Sequence, residues 1–362
     1  MHSLEKSSKP VNLYGHLRKN EKLCYVLAAG VMNHDLPCIG KLYSDNLPAE
    51  GYFCGLLKDD EITFHVNIKK QWHKADVVIV DDNDIYKRTP FSSNLLDVLG
   101  KTRVVFFGVG SVGSRIALGL ARSGIKNFRL IDPDIFSVEN VARHVCDMTD
   151  VGRYKVTAVR ERILRINPQA QVEIFPYDIL SQRDKTKNNA FSDVHLIIAS
   201  TDRKSVQLRI NNECYHRSIP GLFVGCYDEA RAGEVLFILP GITKVCYECL
   251  RGGTRQQEKS RQYDYSTAKS HEDYEGEPGL NAAINQVSDI AEQHAIALLL
   301  RNEQCEMSRL IKPHNNLLFI SSGLGEGFYY LRDAYCFTKS FEVIQPIMKE
   351  PWTNCSTCQK SL

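Results

Sequence analysis

The sequence lacks any run of 18 apolar residues, and this removes a bilayer-spanning helix from the reading. Its first residues, MHSLEKSSKPVN, are polar and contain no apolar core of a secretory signal. The expected compartment is therefore the cytoplasm, with no membrane partner. Charge of one sign is not in excess either. The 45 lysines and arginines stand against 43 aspartates and glutamates, a formal net charge of +2, so bulk electrostatics offers nucleic acid no attraction. His65 and His73 lack an accompanying HxH and a downstream Ser and Asp at suitable spacing, which argues against a metallo-isopeptidase centre and leaves them as ordinary histidines.

What is present centres on residues 104 to 145, VVFFGVGSVGSRIALGLARSGIKNFRLIDPDIFSVENVARHV. Val104 to Phe107 read as a buried strand. Gly108, Gly110 and Gly113 then supply a tight turn, a close backbone approach and a helix–strand contact, the three requirements of a phosphate-binding loop. Ile116 and Leu120, with Ala117 and Ala121 beside them, give the following helix one apolar face, and Gly124 is placed to cap it in a left-handed conformation. Phe128 to Ile131 form the next strand. Asp132, 19 residues beyond Gly113, stands where an acid meets ribose hydroxyls. Such a fingerprint alone also suits NAD or FAD. The addition of Asn140, Arg143 and Lys155, and of Asp202 after the apolar strand VHLIIAS, favours a triphosphate with its metal, hence ATP and Mg²⁺. Asp202 has a plainer alternative role as cap of the helix that follows it.

Elsewhere the apolar pattern alternates strand with helix, as an α/β protein with a parallel sheet requires. Val156, Val159 and Ile163 mark a helix ended by Asn167-Pro168, with Arg153, Arg160, Arg162 and Arg165 on its solvated face. QVEIFPYDI and VHLIIAS are strands, GLFVGCYDEARAGEVLFILPG reads as two more, and a long helix runs from Leu280 to Leu300. LLFI near the end is a further strand. Residues 252 to 279 are polar and read as a mobile crossover loop. Residues 1 to 85 read as a small α/β or mostly β domain with strands at 23–31, 62–68 and 76–80; residues 86 to 362 form the nucleotide domain. Twelve cysteines raise the question of disulfides, but four of them make two CxxC pairs, Cys246/Cys249 and Cys355/Cys358. Four thiolates complete a closed structural zinc site, and the two pairs must meet through tertiary folding.

The order GVGSVGS (108–114), IDPD (131–134), NVARH (140–144), GRYK (152–155) and STD (200–202) resembles the ubiquitin-activating-enzyme-like adenylyltransferases, the superfamily of ThiF, MoeB, MccB and E1 adenylation domains. The resemblance covers roughly residues 85 to 362. Ser111 stands where the family often has glycine, and His144 where glutamine is common. The resemblance implies a Rossmann-like ATP-binding domain, with Asp132 on the ribose, Asn140, Arg143 and Lys155 on the phosphates, and Asp202 on magnesium. It identifies YKRT (86–89) with the segment whose arginine, here Arg88, reaches the terminal phosphates of a partner's ATP in a homodimer. Family members carry CxxC pairs in the same two places. The implied reaction is adenylation of the C-terminal carboxylate of a ubiquitin-like or sulfur-carrier protein, giving acyl-AMP and pyrophosphate. The alternative is a short peptide, as in microcin maturation, whose enzymes use an N-terminal domain to grip the substrate. The crossover loop holds no cysteine, favouring a reaction that stops at the acyl-adenylate; Cys226 and Cys214 remain as candidate nucleophiles, against the commoner fate of burial as small apolar residues. Two readings from other classes are an NAD-dependent oxidoreductase, which gives Arg143, Lys155 and Asp202 no role, and a non-catalytic scaffold, which gives the charged set no reason to persist.

Overall fold

The computed structural model describes residues 10–18, 23–29, 37–44, 46–59, 61–76, 82–251, 278–330, 335–347 and 355–358. The chain divides into two units, Met1–Asp84 and Ile85–Leu362. Residues 77–80 of the strand expected over 76–80, and residues 252–277 of the crossover loop expected over 252–279, lie outside the described residues.

The first unit is one six-stranded sheet: β1 (Val11–Arg18), β2 (Leu23–Ala29), β3 (Cys38–Ser44), β4 (Phe53–Lys58), β5 (Glu61–Ile68) and β6 (Gln71–Lys74), in the order β2-β1-β3-β4-β5-β6. Neighbours are antiparallel except β3 and β4, which run parallel. No α-helix occurs among its described residues. Leu13, Leu42 and Phe53 form its small core, and Phe64 stacks on Phe53 with centroids 5.7 Å apart. β5 turns into β6 through Lys69 and Lys70, both left-handed at φ 51° and 65°, the conformation that a two-residue hairpin demands.

The second unit is the α/β layer structure that the sequence pattern predicts. Its elements are α1 (Ser93–Lys101), β7 (Arg103–Phe107), α2 (Ser111–Arg122), β8 (Asn127–Ile131), α3 (Lys155–Ile166), β9 (Gln171–Phe175), α4 (Asp184–Phe191), β10 (Leu196–Ala199), α5 (Lys204–Arg217), β11 (Gly221–Tyr227) and β12 (Ala232–Ile238). After these come α6 (Tyr247–Arg251), α7 (Asn281–Leu299), β13 (Leu317–Ser321), the pair β14 (Tyr329–Tyr330) and β15 (Tyr335–Cys336), and β16 (Val343–Ile344). The main sheet has the order β16-β13-β12-β11-β10-β7-β8-β9. Strands β11, β10, β7, β8 and β9 are parallel; β12, β13 and β16 continue the sheet antiparallel.

β7 lies inside this sheet with both faces covered, which is why Val104 to Phe107 are continuously apolar rather than alternating. Val104 and Phe106 face the cluster that contains Ile116 and Leu120 of α2, Val159 of α3 and Leu298 of α7. Val105 and Phe107 face the opposite cluster, with Ile210 of α5 and Tyr247 of α6. Gly124 takes φ 102° just past α2, and Ile125 donates its N–H to the Leu120 carbonyl at 3.1 Å, so the helix ends as its sequence predicts. No described helix is long and apolar enough to cross a membrane.

Asn316, fully buried before β13, donates from Nδ2 to the carbonyls of Phe237 and Val245, each at 2.8 Å. It ties the end of β12 to the segment leading into α6. Replacing Asn316 with Ala withdraws both bonds from buried carbonyls, and the expected loss is about 2–4 kcal/mol of unfolding free energy in denaturant titration.

Candidate functional site

Gly108 leaves β7 at φ 90°, and a Cβ there would sit 2.9 Å from the Ser200 carbonyl oxygen. A Cβ on Gly113 would collide with the Gly108 carbonyl oxygen and with Ser200 Oγ. Only glycine therefore lets α2 start against the ends of β7 and β10. Ser200 Oγ secures the contact by donating to the Gly108 carbonyl at 2.8 Å. Gly110 is the N-cap of α2 and supplies no side-chain cap, so the first-turn N–H groups of the helix face a cavity of about 440 Å³.

That cavity gathers most of the residues singled out by sequence: Gly108, Gly110, Asp132, Asn140, Arg143, Lys155 and Asp202 all line it. Gly113 lies behind the loop. Arg88 is exposed in the second unit and does not line the cavity. Asp132 is buried, and its carboxylate holds the turn, accepting from Val109 N at 2.8 Å and from Asp134 N at 2.9 Å. Asn140 is also buried; its Oδ1 accepts from Ser137 N at 3.2 Å.

Lys155 opens α3 with its Nζ 2.8 Å from Asp134 Oδ2, the lysine side chain only 10% exposed. Burial disfavours its charge, but the carboxylates of Asp132, Asp134 and Asp202 outweigh that, and the ammonium titrates above the ordinary lysine range. Asp202 stands beyond β10 at the cavity rim. The walls partly desolvate its carboxyl, and with the charge of Asp134 this raises its pKa. The alternative capping role falls away: Arg203 is the N-cap of α5, and the backbone N–H of Arg203 goes to Thr201 Oγ1 at 3.3 Å.

Asp134 and His144 had no assigned role in the sequence reading. Asp134 is the second acid of IDPD, on the same short turn as Asp132, and that spacing is the signal that marks it. His144 lines the cavity and binds the loop itself, with Nε2 2.7 Å from the Val109 carbonyl oxygen. Arg153 and Arg162, in contrast, belong to a structural network. Arg162 pairs with Asp147 at 2.6 Å and with buried Asp150, while Arg153 pairs with Asp150 at 2.9 Å. Of the two other thiols, Cys226 lines the cavity, and Cys214 is wholly buried with its pKa pushed up by desolvation, which makes it inert.

The two CxxC pairs do meet. Cys246, Cys249, Cys355 and Cys358 are buried, with all four sulfurs within 4.8 Å of one another. Sγ–Sγ separations are 3.8 Å for Cys246–Cys249, 3.6 Å for Cys246–Cys355 and 3.5 Å for Cys249–Cys358. Bonds of about 2.3 Å to a central zinc give a tetrahedron with edges of about 3.8 Å, so the cluster fits zinc and is far too open for disulfides. Asn211 Nδ2 donates to Cys246 Sγ at 3.7 Å, the kind of outer hydrogen bond that orients a metal thiolate.

A family model for the ThiF family matches residues 85–326. The chain belongs to the ThiF family. It is 26% identical over 194 residues to ubiquitin-like modifier-activating enzyme 5 of Caenorhabditis elegans, covering 50% of this chain and 46% of that protein. It is 32% identical over 120 residues to the adenylyltransferase and sulfurtransferase UBA4 of Candida albicans, covering 32% of this chain and 26% of that protein. The chain thus spans about half the length, or less, of these curated relatives. Crystal structures of E. coli MccB, with ATP or with AMPCPP and MccA, share the fold at a TM-score of 0.53 and 20% identity, covering 73% of this chain and 68% or 69% of theirs.

Two outcomes test this ThiF-family site. Gly113→Ala, which forces the Gly108 carbonyl or Ser200 to move, lowers the melting temperature and weakens ATP binding in calorimetry by at least about ten-fold. Native mass spectrometry finds one zinc per chain, and Cys355→Ser loses it together with thermal stability.

Proposed function

We propose that this chain catalyses ATP-dependent adenylation of a protein or peptide C-terminal carboxylate. The observation that carries the reading is the convergence of Lys155, Arg143 and Asn140 with the uncapped start of α2 on one cavity, with Asp202 at its rim. Helix N–H groups, a guanidinium and an ammonium suit an anionic triphosphate. A flat nicotinamide pocket with hydride chemistry gives this charged set no task. Membership of the ThiF family and likeness to proteins named as activating enzymes and adenylyltransferase support the same reading.

In the proposed reaction one oxygen of the substrate carboxylate attacks the α-phosphorus of ATP. The α–β phosphoanhydride breaks, and pyrophosphate leaves with the electron pair, producing acyl-AMP. A carboxylate needs no base for this step, so the protein's contribution is positioning and charge neutralisation. Asn140 and Arg143 bind the phosphates from one side and Lys155 from the other, while Asp132 holds the ribose edge of the site. Asp202 is the side chain that would hold Mg²⁺, which supplies charge neutralisation on the phosphates. The four-cysteine cluster would hold zinc as a structural ion.

The proposed substrate is a ubiquitin-like or sulfur-carrier protein, with a short peptide as the second reading, favoured by the MccB fold match and by the separate unit Met1–Asp84. That unit is assigned substrate recognition. The proposed active form is a homodimer with Arg88 of one copy serving the other's phosphates. Exposed Ile135, Val138, Met148 and Tyr154, on the segment between β8 and α3 that also supplies Asp134 and Asn140, offer apolar surface for a second copy. Four thiolates in a closed site fit a reducing, cytoplasmic compartment.

ATP–pyrophosphate exchange with Mg²⁺ and candidate carriers or peptides tests the reading. Exchange that depends on one carrier and drops on the order of 10²–10³-fold in Lys155→Ala and Asp202→Ala is the expected result. ATP binding without exchange under any carrier or peptide would return the chain to the scaffold reading.

A further inference from the structure

The glycine loop is fixed by side chains at both polar groups of a single residue, Val109. Its N–H is taken by Asp132 Oδ2 at 2.8 Å, and its carbonyl oxygen lies 2.7 Å from His144 Nε2. The flanking groups are engaged as well. Gly108 N donates to the Ile131 carbonyl at 2.9 Å, the Gly108 carbonyl accepts from Ser200 Oγ at 2.8 Å, and the Gly110 carbonyl accepts from Ser114 N at 2.9 Å. With these carbonyls held by protein donors, the loop offers the cavity its N–H groups at Gly110 and the start of α2. A freed Val109 carbonyl could instead rotate its partial negative charge toward the cavity, where it would repel a phosphate.

We propose that His144 is a positioning residue for the nucleotide: its Nε2–H holds the Val109 carbonyl and keeps the glycine loop in its phosphate-accepting form. The tautomer follows from the second ring nitrogen, because Nδ1 accepts from Cys146 N at 3.1 Å and so carries no proton. The ring is further fixed edge-on to buried Phe136, centroids 5.0 Å apart. Burial, with the nearby charges of Lys155 and Arg162, pushes its pKa down to about 4 against the opposing pull of the Val109 bond and of Asp150. A neutral imidazole thus serves as a single-proton donor throughout the neutral range. His144 lies 35 residues from Val109, so the Asn140–Cys146 segment and the glycine loop are coupled by this bond.

The proposal rests on the adenylation reading for its purpose but not for its test. Three variants separate donor from packing: His144→Gln keeps an N–H of similar reach, His144→Phe keeps the ring against Phe136, and His144→Ala keeps neither. Hydrogen exchange of the unliganded protein reports loop order at residues 109–112. Exchange there is expected to rise about ten-fold in the Phe and Ala variants and to remain near wild type in Gln. ATP affinity by calorimetry is expected to fall about ten-fold in Phe and Ala, with Gln recovering most of it. Phe behaving like wild type in both measurements, or Gln like Ala, would overturn the clamp. Wild-type protein that binds no ATP would overturn the nucleotide role and the adenylation reading together, while loop exchange would still decide whether the His144 bond holds the loop.

Discussion

The ion pair between Lys155 and Asp134 sets the terms for the rest of the cavity. A buried ammonium needs compensating charge, because desolvation alone drives a lysine toward neutrality. Here Asp134 lies in direct contact and Asp132 and Asp202 lend further charge, so Lys155 stays protonated and ordered at the start of α3. The same acids make the cavity poorly suited to a bare polyphosphate. Asp202, whose carboxyl is disfavoured as an anion by burial and by the charge of Asp134, would be relieved by the divalent cation proposed for the site. In the proposed complex nucleotide and metal would share one electrostatic balance, with the Lys155 ammonium dividing its attraction between Asp134 and phosphate oxygens.

A second constraint is steric and acts on the backbone. Gly113 gives α2 its close approach to Gly108, and that approach places the helix start beside the ends of β7 and β10. Asp132 and His144 then hold both peptide groups of Val109. Ordering the loop in advance matters because each backbone residue immobilised on binding costs about 1–2 kcal/mol of conformational entropy. A loop already held by side chains leaves more of the phosphate interaction available for affinity.

How legible these features were in the sequence depended on how local their causes are. The strands and helices of the second unit follow from apolar runs and a helical period within a few residues, and the glycine fingerprint follows from steric needs at adjacent positions. The four-cysteine cluster was legible because metal chemistry demands four thiolates wherever the chain carries them. The first unit was harder. Its β5–β6 hairpin turns on Lys69-Lys70, two left-handed residues with none of the usual Asn-Gly signal, and β4 carries no clean alternation in FCGLLK. Asp134 and His144 went unassigned because their partners lie 21 and 35 positions away, and only the folded chain shows which acid meets Lys155 or which carbonyl meets the imidazole.

The cysteine cluster and the cavity are not independent. Tyr247 follows Cys246 directly, stacks on Phe223 of β11 with centroids 4.9 Å apart, and lines the cavity. Its N–H goes to Asn211 Oδ1 at 3.0 Å, and the same amide's Nδ2 donates to Cys246 Sγ. One buried asparagine on α5 thereby fixes both a sulfur of the cluster and the backbone of a cavity wall residue. Across the cluster, Glu248 accepts from Ser356 Oγ at 2.8 Å and from Thr357, tying the 355–358 turn to α6. A structural ion held by these four sulfurs would do more than close a loop: it would fix the start of α6 and, through Tyr247, one side of the space in which the reaction is proposed to occur.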